Sequence, residues 1–335
     1  MDYVAKTILF IRSGHVLTPF ARSLCGARGC AELKSYRDMS ELQGFLIKAP
    51  PNSKIVFYSP EIFLPWIILK NIHKFRFFYF LHEPIISLSR APSLRFFLAY
   101  KAWLFLLGLL SSFIFLSEHG KREFKKTLLS SYQSTDKRLV IPLVINRVYL
   151  GSVTKLQIEK KFDFVMWGSL NKEKGLDRFI QTAKDYPNFN FGILARSNAQ
   201  LKDAKKKYTF LKNISWDLRD CFISDGQINQ FILSAKSAYL CQRQSTQSAQ
   251  LSLALALRVP VFATDCGSFG EFLRGTVYSK CFPNDLSDED LSEKVARHAT
   301  FVFQNYDLAS KEANSLFKRR FDATNEAYET WSDRI

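Results

Sequence analysis

The sequence predicts an α/β chain of two lobes, each a doubly wound parallel sheet with helices on both faces. Three observations lead there. Short apolar runs alternate with longer helical patterns along the whole chain, as βα units require. The 335 residues, 47% hydrophobic and 23% charged, suffice for two domains that each bury a core. The segment from Asn146 to Lys160 is polar and basic, lies between the two series, and reads as a linker.

In order, the first lobe (residues 1–145) has expected strands at Thr7–Arg12, Lys54–Tyr58, Phe77–Leu81, Phe113–Ser117 and Leu139–Val144, with helices over Thr18–Cys25, Pro60–Asn71, Ser93–Leu107 and Lys121–Ser131. In the second lobe (residues 161–310) the strands are Asp163–Trp167, Phe189–Leu194, Ile214–Trp216, Ala238–Cys241, Val259–Thr264 and Val277–Lys280. Its helices are Lys174–Tyr186, Asn198–Lys207, Asp225–Ser234, Ser245–Leu257 and Leu286–Gln304. A last helix, Ala309–Thr330, begins at the end of the second lobe and continues through most of the tail 311–335. It either docks on its own lobe or crosses back to the first.

Trp103 to Leu116 is almost wholly apolar, but Arg95 and Lys101 precede it and Glu118 follows. The run is shorter than the roughly 20 residues a spanning helix needs. Gly108-Leu109-Leu110-Ser111-Ser112 splits it into a helix and then a core strand. Met1 to Lys6 lacks a secretory signal pattern, and six scattered cysteines without a Cys-x-x-Cys pair fit free thiols in a reducing cytosol, with no metal site.

Residues 1–150 carry 21 Lys and Arg against 9 Asp and Glu, a net +12; residues 151–335 carry 26 against 22, a net +4. Such a field attracts nucleic acid, an anionic membrane surface or a phosphorylated substrate. Aromatic residues beside basic ones, as in Lys70 to Phe78 and Arg95-Phe96-Phe97, are what a protein resting on anionic lipid presents; equally they fill a core.

Ligands of open α/β sheets bind beyond the carboxyl ends of the strands, which selects three places. Phe164-Val165-Met166-Trp167-Gly168-Ser169-Leu170-Asn171-Lys172-Glu173-Lys174-Gly175 reads as a strand, a Gly-led loop with two lysines, and a helix start. Gly admits a ligand to the backbone, helix N–H groups favour an anion, and Lys172 and Lys174 supply cations. Arg12-Ser13-Gly14-His15 follows the first strand, and Gly14 there admits a diphosphate or an acceptor. His82-Glu83-Pro84 follows Phe77–Leu81 and offers a proton-transfer pair, with Glu83 orienting His82 or itself the base.

Downstream, Val259-Pro260-Val261-Phe262-Ala263-Thr264-Asp265-Cys266-Gly267-Ser268-Phe269-Gly270-Glu271-Phe272 completes a pattern. With the Gly168 loop it resembles the C-terminal lobe of GT-B glycosyltransferases, and more narrowly of family 4 glycosyltransferases. Those carry a Gly-Arg…Lys-Gly loop and then a small-residue helix leading into Pro-Val…Ala-Thr-Asp…Gly-Gly…Glu. Gly168, Lys174, Gly175, Pro260, Val261, Ala263, Thr264, Asp265, Gly267 and Glu271 fall on it. Ser169 stands where the family has arginine, so that diphosphate contact is missing unless Lys172 replaces it. The family's two glutamates, eight apart, fall at Ser245 and Leu253, and neither is acidic. In their place stands Gln244-Ser245-Thr246-Gln247-Ser248-Ala249-Gln250, whose Thr246, Gln247 and Ser248 either hold a phosphate or simply cap a helix.

The resemblance implies two Rossmann-like lobes facing a cleft, a C-terminal helix returning to the first lobe, and metal-independent sugar transfer from a nucleoside-diphosphate donor. His82 approaches the donor sugar, and no cofactor beyond that substrate is involved. The resemblance implies retention of configuration, whereas Glu83 as base suits inversion. The acceptor class this suggests is a lipid-linked phosphate or anionic polysaccharide in bacterial-type polysaccharide or glycolipid assembly, handled in the cytoplasm at the inner face of the membrane. Alternatives are a noncatalytic GT-B partner subunit, then a sugar-nucleotide epimerase, and last a nucleic-acid-binding protein.

Overall fold

A computed structural model describes residues 7–12, 31–58, 61, 63–81, 93–125, 138–141, 158–245 and 249–334. The chain divides into two compact units, residues 1–145 with 321–335, and residues 146–320.

In the first unit six strands form one parallel sheet in the order β2-β1-β3-β4-β5-β6. They are β1 (Thr7–Arg12), β2 (Ala31–Tyr36), β3 (Lys54–Phe57), β4 (Arg76–Leu81), β5 (Ser112–Phe115) and β6 (Arg138–Val140). Among the described residues four helices alternate with them: α1 (Met39–Lys48), α2 (Leu64–Asn71), α3 (Leu94–Leu110) and α4 (Glu118–Lys125). The inner strands β1, β3, β4 and β5 are apolar on both faces, as a sheet covered on both sides requires. Phe10, Phe57, Phe77, Tyr79, Phe113 and Phe115 build a largely aromatic core, with Phe57 stacked on Phe77 at 6.0 Å.

The second sheet holds β7 (Phe162–Trp167), β8 (Phe191–Arg196), β9 (Ile214–Arg219), β10 (Ala235–Leu240), β11 (Val261–Thr264) and β12 (Lys280–Phe282), also parallel, in the order β12-β11-β10-β7-β8-β9. Between them run α5 (Leu176–Asp185), α6 (Ala199–Lys207), α7 (Asp225–Leu233), α8 (Ala249–Ala256) and α9 (Phe269–Leu273); α10 (Asp288–Gln304) and α11 (Tyr306–Arg334) close the chain. Phe164 sits at the centre of this core, in ring contact with Phe189, Phe191, Tyr239, Phe262 and Phe303.

Most expected elements are present, shifted at their ends, and the break at Ser111 does separate α3 from β5. The corrections have local causes. β2 and α1 were not among the expected elements. β2 lies at the sheet edge with the polar sequence AELKSY, and α1 starts at Asp38, whose side chain accepts from the Glu41 N–H at 2.9 Å. The strand expected at Val277–Lys280 lies instead at Lys280–Phe282. The N–H groups of Val277, Tyr278 and Ser279 all donate to the Glu312 carboxylate, at 2.7, 2.8 and 2.9 Å, and so do not join a ladder. The helix expected at Pro60–Asn71 begins at Leu64, with Pro65 in its first turn. The last helix, expected at Ala309–Thr330, runs from Tyr306 to Arg334. The helix expected at Thr18–Cys25, and the linker up to residue 157, lie outside the described residues.

Candidate functional site

Numbered within the second lobe, its strand order is 3-2-1-4-5-6, and chain direction reverses between β7 and β10. Loops leaving the carboxyl ends of two such strands diverge to opposite faces, which opens a crevice there. The two loops concerned are Gly168–Gly175 and Cys241–Ser245.

Gly168 leaves β7 with φ of 96° while its N–H donates to Leu194 O at 3.0 Å, a left-handed turn that glycine enters without strain. The chain then tightens: the Asn171 side chain accepts from Lys174 N at 2.9 Å, and Gly175 N donates to Lys172 O at 3.0 Å. Gly175, with φ of 78°, is the N-cap of α5. A Cβ on it would lie 1.9 Å from Cys241 O, so only glycine lets the two loops meet backbone to backbone. Arg243 N completes the join by donating to Glu173 O at 2.8 Å.

Side chains then link the corner. Lys174 Nζ donates to Gln242 Oε1 at 3.1 Å, Gln242 Nε2 donates to Gln250 Oε1 at 2.9 Å, and Gln250 Nε2 donates to Trp167 O at the end of β7. Gln242 is 1% exposed, and its backbone carbonyl accepts from the Thr264 hydroxyl at 2.5 Å. Gln250 Nε2 also lies 3.5 Å from where a Gly168 Cβ would be. Lys174 is therefore a positioned ammonium that donates to the Gln242 amide. Burial raises the pKa of the Cys241 thiol, which remains a neutral packing group.

Behind the corner, Arg178 on α5 donates to Asp288 at 3.1 Å and to the Asn284 side chain at 2.7 Å, with only 4% of its surface exposed. Arg243 pairs with Asp177 at 2.9 Å and Asp288 at 2.7 Å, and Asn284 Nδ2 donates to Arg243 O at 2.9 Å. This lattice, anchored on the buried Arg178, fixes the Cys241–Ser245 loop against α5 and α10 and so positions the corner beforehand.

Of the expected site residues, Gly168, Ser169, Lys172 and Lys174 lie in this loop, Ser169 and Lys172 exposed and Lys174 half-buried. Glu271 is in the first turn of α9, after β11, and its backbone carbonyl accepts from Arg320. Ser245 and Leu253, at the two glutamate places, are both partly buried. Gly14, His82, Glu83, Thr246, Gln247 and Ser248 lie outside the described residues. Gln242 and Gln250 are additions of the structure. Gln250 ended the polar stretch noticed in the sequence, but Gln242 carries no sequence signal beyond its place directly after a strand. Among the described residues no group of three or more His, Cys, Asp or Glu is placed to hold a metal ion.

Two doubly wound parallel lobes in one chain, the second in the 3-2-1-4-5-6 order, are the architecture of the GT-B fold. Solved structures bear this out over nearly the whole length. An α,α-trehalose-phosphate synthase (UDP-forming) from Burkholderia vietnamiensis matches with a TM-score of 0.70 at 10% identity, over 99% of this chain and 100% of its own. A glycosyltransferase from Rickettsia africae matches at 0.69 and 13% identity, over 99% and 100%. The Anabaena protein HepE, solved in complex with UDP, matches at 0.69 and 14% identity, over 98% and 99%. No family model and no curated protein matches the sequence.

Proposed function

We propose that the chain is a glycosyltransferase that moves a sugar from a nucleoside-diphosphate donor to an acceptor hydroxyl, with the donor diphosphate bound at the Gly168–Gly175 corner. The observation that carries this reading is the position of Lys174. Its ammonium sits at the point where the sheet order reverses, beside a glycine that brings the backbone to the ligand and at the start of α5. Negative charge develops on the departing diphosphate in such a transfer. Lys174, Lys172 and the free N–H groups of α5 meet that charge in a preorganised setting, with no metal ion required. When the diphosphate arrives, Lys174 exchanges Gln242 for a phosphate oxygen, and Gln242 remains bonded to Gln250.

In the same reading His82 approaches the donor sugar as the proton-transfer group, with Glu83 orienting it or itself the base. Gly14 admits ligand to the backbone after β1, Thr246, Gln247 and Ser248 add hydroxyl and amide contacts to the donor, and Glu271 anchors its sugar. The basic first lobe suits a lipid-linked phosphate or an anionic polysaccharide, as in bacterial-type polysaccharide or glycolipid assembly on the cytoplasmic side of a membrane.

A second reading, a noncatalytic partner subunit with this fold, draws support from Ser245 and Leu253 at the glutamate places and from the Lys174–Gln242–Gln250 chain that already fills the corner. Thermal melts across a panel of nucleoside diphosphates and their sugars separate the two. The transferase reading expects one base to raise the melting temperature and the rise to vanish in Lys174→Ala. No rise with any of them leaves the partner reading in possession.

A further inference from the structure

The first lobe exposes apolar side chains outside its core. Among the described side chains of α3 the exposed ones are Arg95, Leu98, Ala99, Ala102, Leu106 and Leu109, while Leu104 and Leu107 are buried. At 100° per residue these six fall within about 100° of arc, a single stripe running about 21 Å along the helix. Leu104 and Leu107 hold the far side of α3 to the core, and on its flank Trp103 donates from Nε1 to Glu61 O at 3.0 Å and packs edge-on against Tyr79. The neighbouring α2 adds Trp66 and Leu69 to the exposed surface, and Lys70 lies 4.9 Å over the Trp66 ring. Leu98, Leu106, Leu109, Trp66 and Leu69 are each between 45% and 57% exposed, too large a run of apolar surface to leave in water without a role.

We infer that this face rests on an anionic lipid surface. Neither α2 nor α3 contains an acidic residue, while Lys70, Arg95 and Lys101 lie on them in a lobe of net +12. A second copy docking here would set those cations against one another, whereas anionic headgroups neutralise them as the leucines enter the acyl boundary. Trp66 with Lys70 over its ring has the aromatic-and-cation pairing that suits the headgroup level. No helix among the described residues is long and apolar enough to cross a membrane, so α3 lies along the surface. The inference is independent of what binds at the Lys174 corner.

The test is flotation of the full chain, without nucleotide, with vesicles of phosphatidylcholine alone and of phosphatidylcholine mixed with phosphatidylglycerol. The chain is expected to float with the mixed vesicles and not with the neutral ones, and less so as salt is raised. Leu98→Glu, Leu106→Glu and Leu109→Glu together are expected to lower the bound fraction at least tenfold. These sites are exposed, so the melting temperature should hold; should it fall, Lys70→Gln with Arg95→Gln reads the same face without touching the leucines. Failure of the wild type to float with anionic vesicles overturns the inference, as does undiminished binding by both variants. A wild-type dimer in sedimentation that the triple variant dissolves overturns it too, and assigns the face to a second copy.

Discussion

Gly175 is where the two loops of the candidate site touch, and its substitution tests that contact most sharply. Gly175→Ala puts a methyl group 1.9 Å from Cys241 O at a φ of 78°, and neither backbone is free to yield. The expected loss is above about 2 kcal/mol in chemical denaturation. Arg258 shows the reverse case. It follows α8 with φ of 63°, a conformation that strains any side chain, so Arg258→Gly is expected to raise stability by about 1 kcal/mol. His298 adds a pH dependence. Burial lowers its pKa below the ordinary imidazole value, while its Nε2 holds Tyr278 O at 2.9 Å and its ring packs on Phe262. The fold thus favours the neutral ring: its contribution is complete above the unfolded pKa of about 6.5 and is lost as pH falls through the lower folded value. Denaturation midpoints should drop from pH 7 to pH 5 in the wild type and drop less in His298→Gln. The turn from Gly168 to Gly175 was legible in the sequence because glycines between an apolar run and a helical pattern mark a βα connection. Gln242 was not, since a buried glutamine declares itself only through the partners that tertiary structure brings to it.

Among the elements, β12 and α11 show what a local pattern cannot contain. Val277 to Lys280 reads as a strand until Glu312, more than 30 residues later, takes three of its N–H groups. Glu312→Ala leaves those donors without their carboxylate and is expected to cost about 2–3 kcal/mol, read as a shift of the denaturation midpoint. β2 escaped notice for a different reason: an edge strand has one neighbour, and AELKSY carries little apolar content to signal it. The inner strands were visible because burial on both faces forces continuous apolar runs such as RFFYFL and FDFVMW. At the joint of α5 with α10, Arg178→Ala would leave Asp288 and Asn284 without their shared buried guanidinium. Asp288 keeps Arg243 as a partner, so a loss of about 1–3 kcal/mol is expected.

For the whole molecule, two lobes and their parallel sheets follow from length and from the alternation of strand and helix. The strand order does not, because each βα unit looks the same in sequence whether the next strand is laid to its left or its right. That order carries the proposal, since the reversal between β7 and β10 is what singles out the Gly168 corner from the other βα turns as the candidate site. The charge division is a property of the same scale: residues 1–150 carry a net +12, which suits the anionic acceptor or surface proposed for that half, and residues 151–335 a net +4. If the corner holds a diphosphate, Lys174→Ala should weaken nucleoside-diphosphate binding by about 1.5–3 kcal/mol, roughly 10- to 150-fold in Kd, as titration calorimetry would read it. The most direct measurement is the structure of the chain crystallised with the nucleoside diphosphate that the melting panel selects. The account predicts the diphosphate against the Gly168–Ser169 backbone, with Lys174 Nζ moved from Gln242 onto a phosphate oxygen. A nucleotide bound elsewhere, with the Lys174–Gln242–Gln250 chain intact, would contradict it.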